Sequence, residues 1–418
     1  MHFVVLTEVQ AYGFHMTNFI QREAVSGAGL SLDFRTRTID DVGDVDAHEF
    51  HRDRVPALLE QRSELATAAF AASGLDSITI AVDDAAYTWR LSGSGSLEVV
   101  PGDLGRARAE LSAAWFSDIV NDVRSTVALM IDGSDVMARG RIVHLTRWEP
   151  VLRALVDGRP AYEPGLIDFA DRDGSPLDLN RSFTLADDPA EPAHFLAEAG
   201  FLHLRGVFTA DEMDLLSAEI DRWRAEMDPD DKRAWFATVD DGQVCVRVTN
   251  LGVDDVEFPH AERLAPIAEL MGDGHRYRGT DLLVKPVGVS EGISDLPWHK
   301  DCALGLHSYR CAGITCGVSV TGSGPDNGHL GVLAGSHRVN MALFELDDGV
   351  DLPQVFLTTE PGDVTVHVSC ALHCATPPVH SERRVTYSSF SLPGADAELY
   401  RVVERVRDQA GRDTYAPS

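Results

Sequence analysis

Basic residues are scarce in this chain: 36 Lys and Arg stand against 66 Asp and Glu among 418 residues, a formal charge of −30. A surface of that sign repels phosphate backbones and anionic bilayers, which argues against a nucleic-acid or membrane-surface partner. Long apolar runs are missing too, and none approaches the ~20 residues that cross a bilayer. The opening Met1-His2-Phe3-Val4-Val5-Leu6-Thr7-Glu8 lacks the basic flank and apolar core of a secretory leader. These absences predict a soluble, cytoplasmic protein without membrane insertion. Cysteine is absent before Cys245, and Cys245, Cys302, Cys311, Cys316, Cys370 and Cys374 contain no Cys-x-x-Cys pair. Neither a disulfide framework nor a zinc knuckle is therefore indicated, and most of these thiols are expected as small, reduced core residues. No internal repeat or low-complexity tract is present.

What remains is the composition of an ordinary globular protein, 44% apolar and 24% charged. The length exceeds what one hydrophobic core sustains, so two domains are expected. Residues 54–74 carry apolar side chains at helical spacing (Val55, Leu58, Leu59, Leu65, Ala69, Phe70) and stop at Gly74. Ser77–Val82 and Tyr87–Leu91 alternate as strands around the Asp83-Asp84 turn. Arg106–Asn121 looks helical, Ser125–Ile131 strand-like, and Glu149–Asp157 closes with a short helix. This order predicts an α+β accessory domain over 1–158. Residues 159–189, rich in Pro, Asp and Gly, read as a linker. From 190 to 418, short β-rich runs (Asp281–Val284, Gly313–Val320, Asp363–Ser369) alternate with turns, which suits a mainly-β double-layer jelly roll with flanking helices.

The chemistry concentrates in Trp298-His299-Lys300-Asp301, with His373 following 72 residues after Asp301 and Arg384 another 11 later. On an extended strand His299 and Asp301 share a face. With His373 added, two imidazoles and one carboxylate leave three octahedral positions open, a donor set that suits Fe(II) with a chelating co-substrate and O2. A guanidinium such as that of Arg384 grips a carboxylate through two parallel hydrogen bonds, and so can hold the distal end of 2-oxoglutarate.

Around these residues stand Lys285-Pro286, Pro297-Trp298, Asn327-Gly328-His329-Leu330, Gly335-Ser336-His337 and Gly362-Asp363, preceded by Phe195–Phe201 and by Thr209-Ala210-Asp211-Glu212 opening an amphipathic helix. In order and spacing, residues 190–400 resemble the phytanoyl-CoA dioxygenase family of Fe(II)- and 2-oxoglutarate-dependent oxygenases. Lys300 stands where that family commonly has Gln, Ala334 where it has Pro, and Ala375 and Pro378 replace small polar and Asn positions. The resemblance implies a metal set of His299, Asp301 and His373 and a co-substrate pocket with Arg384 and Lys285, while Thr315 and Thr386 stand as further candidate hydroxyl donors. It also implies Fe(II) as cofactor, with 2-oxoglutarate and O2 as co-substrates. The amino-terminal half resembles the sterol-carrier-protein fold, on Ala138-Arg139-Gly140-Arg141 before Trp148, which implies an apolar tunnel.

Competing residues sort by strand parity. Spacing favours Arg384 over Arg383 as the inward guanidinium. His367 shares parity with His373 as a core or supporting residue, His337 is structural, and His380 faces solvent. Trp298 and Lys300 turn away from the metal. The expected reaction is hydroxylation of an unactivated C–H bond in a small organic or lipid-like substrate, apolar or carrier-linked, with release of succinate and CO2. Desaturation, epoxidation or cyclisation share its first steps, and specialised, natural-product metabolism suits it as well as lipid catabolism. Retention of Asp301 disfavours halogenation, which in related enzymes accompanies loss of this carboxylate. A non-catalytic carrier or sensor of apolar ligands is the alternative from another class.

Overall fold

The computed structural model describes residues 39–131, 135–240, 242–256, 258, 260–272, 274–291, 296–304, 313–342, 349–391, 398 and 401–402. Expectations resting on residues 1–38, on Cys311 and on the tail beyond 402 lie outside the described residues.

In the amino-terminal unit, helix α1 (Val55–Ala72) leads into strands β1 (Ser77–Val82), β2 (Ala85–Leu91), β3 (Leu97–Pro101) and β4 (Ala107–Leu111). Helices α2 (Ala113–Val120) and α3 (Thr126–Ile131), strand β5 (Met137–Arg139) and helix α4 (Ile142–Asp157) follow. The sheet order is β3-β2-β1-β4-β5, with β4 parallel to β1. Asp83, with φ of 51°, supplies the left-handed turn of the β1–β2 hairpin. Phe50, Phe70, Trp89, Phe116 and Trp148 fill the layer between sheet and helices at 0% exposure. Trp89 and Trp148 meet edge to face with centroids 5.5 Å apart.

Two expected elements here are exchanged. The stretch expected to be one helix over Arg106–Asn121 divides into β4 and α2, because Ala107, Ala109 and Leu111 bury alternately against the sheet and Ser112 caps the next helix through Trp115 N–H. The expected strand Ser125–Ile131 contains a helix, started by the Ser125 hydroxyl accepting from Ala128 N–H and the Glu149 carboxylate accepting from Thr126 N–H. The closing helix is a full turn and more longer than expected, beginning at Ile142.

The segment between 158 and 189 carries no helix or strand, yet it is packed. Tyr162 N–H donates to the Asn340 carbonyl at 2.8 Å, and Gly165 N–H to Asp351 Oδ2 at 2.8 Å. Asn340 Nδ2 in turn donates to the carbonyls of Pro150 in α4 and of Arg159, at 3.0 and 3.2 Å.

Beyond it come α5 (Ala190–Ala199), β6 (Phe201–Leu204) and α6 (Ala210–Glu226), the last opened by a reciprocal cap between Thr209 and Glu212. Next are β7 (Ala234–Val239), β8 (Gly242–Leu251), α7 (His260–Ala268), β9 (Arg276–Lys285), β10 (Val289–Glu291) and β11 (Leu296–His299). The last strands are β12 (Gly313–Ser319), β13 (Leu330–Leu333), β14 (Gln354–Leu357), β15 (Val364–Val368), β16 (His373–Ala375) and β17 (Arg383–Ser391). They form an eight-stranded sheet, β10-β7-β8-β9-β17-β12-β15-β6, and a four-stranded sheet, β11-β16-β13-β14. This is the jelly-roll architecture. One face of the large sheet, with Leu282, Val284, Ile314, Cys316, Val318 and Phe390, builds the apolar core with α5 to α7. The other face turns to the small sheet. Among the described residues, no helix is long and apolar enough to cross a membrane.

Candidate functional site

β11 ends at His299, which pairs in register with His373 at the start of β16. Asp301 lies two residues on, in a short 3-10 turn over Asp301–Leu304 rather than on the strand itself. The turn brings its carboxylate back to the imidazoles. One ligand atom from each of His299, Asp301 and His373 lies within 4.8 Å of the others, and Asp301 Oδ1 is 3.5 Å from both His299 Nε2 and His373 Nε2.

Both imidazoles are oriented from behind. His299 Nδ1 is 2.8 Å from the Pro297 carbonyl, and His373 Nδ1 is 2.9 Å from the Ala371 carbonyl. A carbonyl oxygen only accepts, so each Nδ1 carries the proton and each Nε2 presents a lone pair to the shared space. Burial lowers the pKa of His299, assisted by the neighbouring His373. Burial alone would raise Asp301, but the neighbouring His373, with His299 and His367 beside it, holds it well below the usual carboxylate range. Neutral imidazoles and an ionised carboxylate are the protonation states a divalent metal requires of its ligands. The donor set therefore fits Fe(II).

Ser336 ties the two ligand segments together. Its hydroxyl accepts from Leu372 N–H at 2.7 Å, one residue before His373. Its carbonyl accepts from Lys300 Nζ at 3.1 Å, between His299 and Asp301. Lys300 does point away from the metal space, and it is 1% exposed. His337 Nε2 donates to the Ala197 carbonyl at 3.0 Å, the structural part expected of it. Trp298 packs with the small apolar cluster of Leu333, Val339, Met341, Leu352 and Leu372.

The guanidinium requires a correction. Arg384 faces the helical side of the large sheet, where it donates to Asp221 at 2.9 Å, to the Ser217 hydroxyl at 2.8 Å and to Glu382 at 2.8 Å. Arg383 faces the small sheet. It pairs in register with Lys285, so both cations project from the same face, and they are 2% and 5% exposed. Arg383 donates to the Gly328 carbonyl at 3.1 Å and reaches the Tyr387 hydroxyl at 3.4 Å. Thr386 has the parity of Arg384: it sits between Leu282 and Val318 on the core side, away from the site. β17 begins one residue earlier in phase than spacing from His373 suggests, and one step of register exchanges every face.

Thr315 lies on the site face, and its hydroxyl donates to Asp301 Oδ2 at 3.2 Å. Directly opposite it in register is His367. His367 Nε2 is 3.2 Å from the same oxygen, and its ring centroid is 4.2 Å from that of His373. Between Thr315 and Arg383, Gly317 lets its neighbours close in, since a Cβ there would come within 2.9 Å of Thr365 Oγ1 and 3.0 Å of the Tyr387 ring. His367, Ser336 and Tyr387 are the parts sequence reasoning underweighted. For His367 the one visible signal is its shared parity with His373.

No curated protein matches the chain. Among solved structures, it is similar to AviO1 from Streptomyces viridochromogenes Tue57, with 24% identity, 50% of this chain and 96% of that one covered, and a TM-score of 0.40. It is also similar to EctD from S. alaskensis, with 20% identity, 57% and 91% covered, and a TM-score of 0.42. A third is the non-heme alpha ketoglutarate dependent epimerase SnoN from nogalamycin biosynthesis, with 21% identity, 51% and 89% covered, and a TM-score of 0.41. The phytanoyl-CoA dioxygenase family model matches residues 196–385, the stretch that holds His299, Asp301, His373, Lys285 and Arg383. That segment is accordingly a phytanoyl-CoA dioxygenase family domain, and the protein is a non-haem iron, 2-oxoglutarate-dependent oxygenase.

Proposed function

We propose that the protein hydroxylates an unactivated C–H bond of a small organic substrate, with His299, Asp301 and His373 as the iron ligands and Arg383, beside Lys285, as the clamp for 2-oxoglutarate. The observation that carries this reading is the convergence of Asp301 Oδ1 with two imidazole Nε2 atoms whose far nitrogens are fixed on backbone carbonyls. Fe(II) bound there supplies O2 activation: one oxygen atom enters the substrate as hydroxyl, the other enters succinate, and CO2 leaves. The protein's share is positioning. Arg383 and Lys285 set two positive charges on one buried face, where a carboxylate gains most from charge-assisted hydrogen bonds. Asp301 stays ionised, and its turn is tethered by Lys300 to Ser336.

The two apolar clusters support a division into an amino-terminal accessory domain and the oxygenase domain. In the accessory domain the sheet order and the aromatic-filled interior suit a packing unit rather than a lipid tunnel. The test of the whole reading is an anaerobic titration of apo-protein with Fe(II) and 2-oxoglutarate, followed by the visible iron-to-keto-acid charge-transfer band. A band, with succinate and a product one oxygen heavier once substrate and O2 are supplied, supports it. Iron binding with no band under saturating 2-oxoglutarate refutes the co-substrate assignment.

A further inference from the structure

The two oxygens of Asp301 are held by different partners. Oδ1 faces the imidazoles of His299 and His373, whereas Oδ2 faces the Thr315 hydroxyl and His367 Nε2, each at 3.2 Å. We infer that His367 is a positioning residue of the metal centre: together with Thr315 it donates to Asp301 Oδ2 and so keeps the carboxylate a one-oxygen ligand through Oδ1. The inference rests on the metal site proposed above and adds to it a device carried by the opposite sheet.

Three observations support it. His367 is 2% exposed on β15, directly across from Thr315, so two neighbouring strands deliver two donors to one oxygen. His367 Nδ1 is buried and has no hydrogen-bond partner among the described residues. A proton on Nδ1 would therefore be left unsatisfied, and would turn the bare Nε2 lone pair toward a carboxylate oxygen; the proton belongs on Nε2, where it is donated to Oδ2. The His367 ring also lies against that of His373, with centroids 4.2 Å apart at 44°, which limits its rotation away from Asp301.

The consequence concerns coordination number. A carboxylate free to chelate takes two positions on the cation. One pinned at Oδ2 takes one, which leaves three for a bidentate keto acid and a third small ligand. His367 thus acts through Asp301, not on substrate.

The test uses apo-protein loaded with Co(II) for affinity and visible spectrum, and with Cu(II) for the number of coordinated imidazoles by electron spin-echo spectroscopy. His367→Phe removes the donor, His367→Gln keeps an N–H near the same place, and Thr315→Val removes the second donor. We expect His367→Phe to weaken Co(II) binding about 10- to 100-fold with an altered ligand-field spectrum. His367→Gln should stay within roughly three-fold of wild type, with Thr315→Val in between. The imidazole count should be two in wild type and in His367→Gln. If the Phe variant fails to fold, the Gln and Val variants and the imidazole count decide. Three imidazoles in wild type falling to two in His367→Gln would make His367 a ligand and overturn the inference, as would an unchanged spectrum and affinity in both His367 variants. Failure of wild type to bind Co(II) at all would remove the metal site and this inference together.

Discussion

Lys300 Nζ donates to the backbone carbonyl of Ser336 at 3.1 Å while the Ser336 hydroxyl accepts from Leu372 N–H at 2.7 Å, so one residue bridges the segment bearing His299 and Asp301 and the one leading into His373. The Gly335-Ser336-His337 turn thereby fixes the distance between metal ligands far apart in sequence. Gly335 makes the turn possible, with φ of 76° and Phe169 packed where a Cβ would lie.

Substitutions on the two sides of that bond should be separable. Ser336→Ala leaves Leu372 N–H buried without an acceptor, and should cost about 1–3 kcal/mol of stability and lower Fe(II) affinity. Lys300→Met keeps the apolar stem but loses the bond to Ser336, and should weaken metal binding with a smaller change in urea midpoint. Equal stability with unchanged metal affinity in both variants would show that the turn does not govern the site.

The two adjacent arginines should behave oppositely. Arg383→Ala removes an inward guanidinium, and should raise the 2-oxoglutarate concentration needed for the charge-transfer band by about 10- to 100-fold, the worth of a charge-assisted pair. Arg384→Ala breaks ion pairs to Asp221 and Glu382 at the surface of α6. It should leave 2-oxoglutarate binding unchanged and cost at most about 1 kcal/mol. The reverse ranking in the same titration would restore the assignment made from spacing.

Asp301→Ala should abolish both the band and succinate release, since no other described carboxylate joins the His299 and His373 ligand atoms. Full product formation by this variant would dismiss the metal assignment.

Acid should destabilise the fold through buried histidines. His51 is 3% exposed, donates from Nδ1 to the Ala47 carbonyl and accepts from Trp89 Nε1–H. Burial pushes its pKa down from 6.5 to about 4, and that of His337 likewise to about 4. An unfolded histidine takes up a proton near 6.5, whereas the folded ones resist until about 4. The stabilisation is therefore complete above 6.5 and is lost as pH falls from there towards 4. For His51 the change amounts to about 3 kcal/mol. Urea denaturation at pH 7 and pH 4.5 should show this loss, and His51→Gln should show less of it.

The residues that converge at the proposed metal site stand out in the sequence because imidazole, carboxylate and imidazole occur with their own turn and Pro-Trp context. The clamp does not. Whether Arg383 or Arg384 faces inward depends on where β17 joins β9, and only the pairing of Arg383 with Lys285 settles that phase. His367 was visible only as a parity, because its partner Asp301 comes from the other sheet. In the amino-terminal unit, alternating Ala and Leu residues mimic a helix over 106–121, and the largely apolar run Ser125–Ile131 mimics a strand. Short apolar runs carry too few periods to separate the two.

The stretch that reads as a linker has a practical consequence for trimming the chain. Tyr162 and Gly165 hold Asp351, Tyr162 is bonded to Asn340, and Ile167 and Phe169 lie against Gly335 beneath the ligand-bridging turn. A gene cut to begin at the family match, or at residue 190, would remove the packing beneath that turn. A chain that begins near residue 160 should keep that floor.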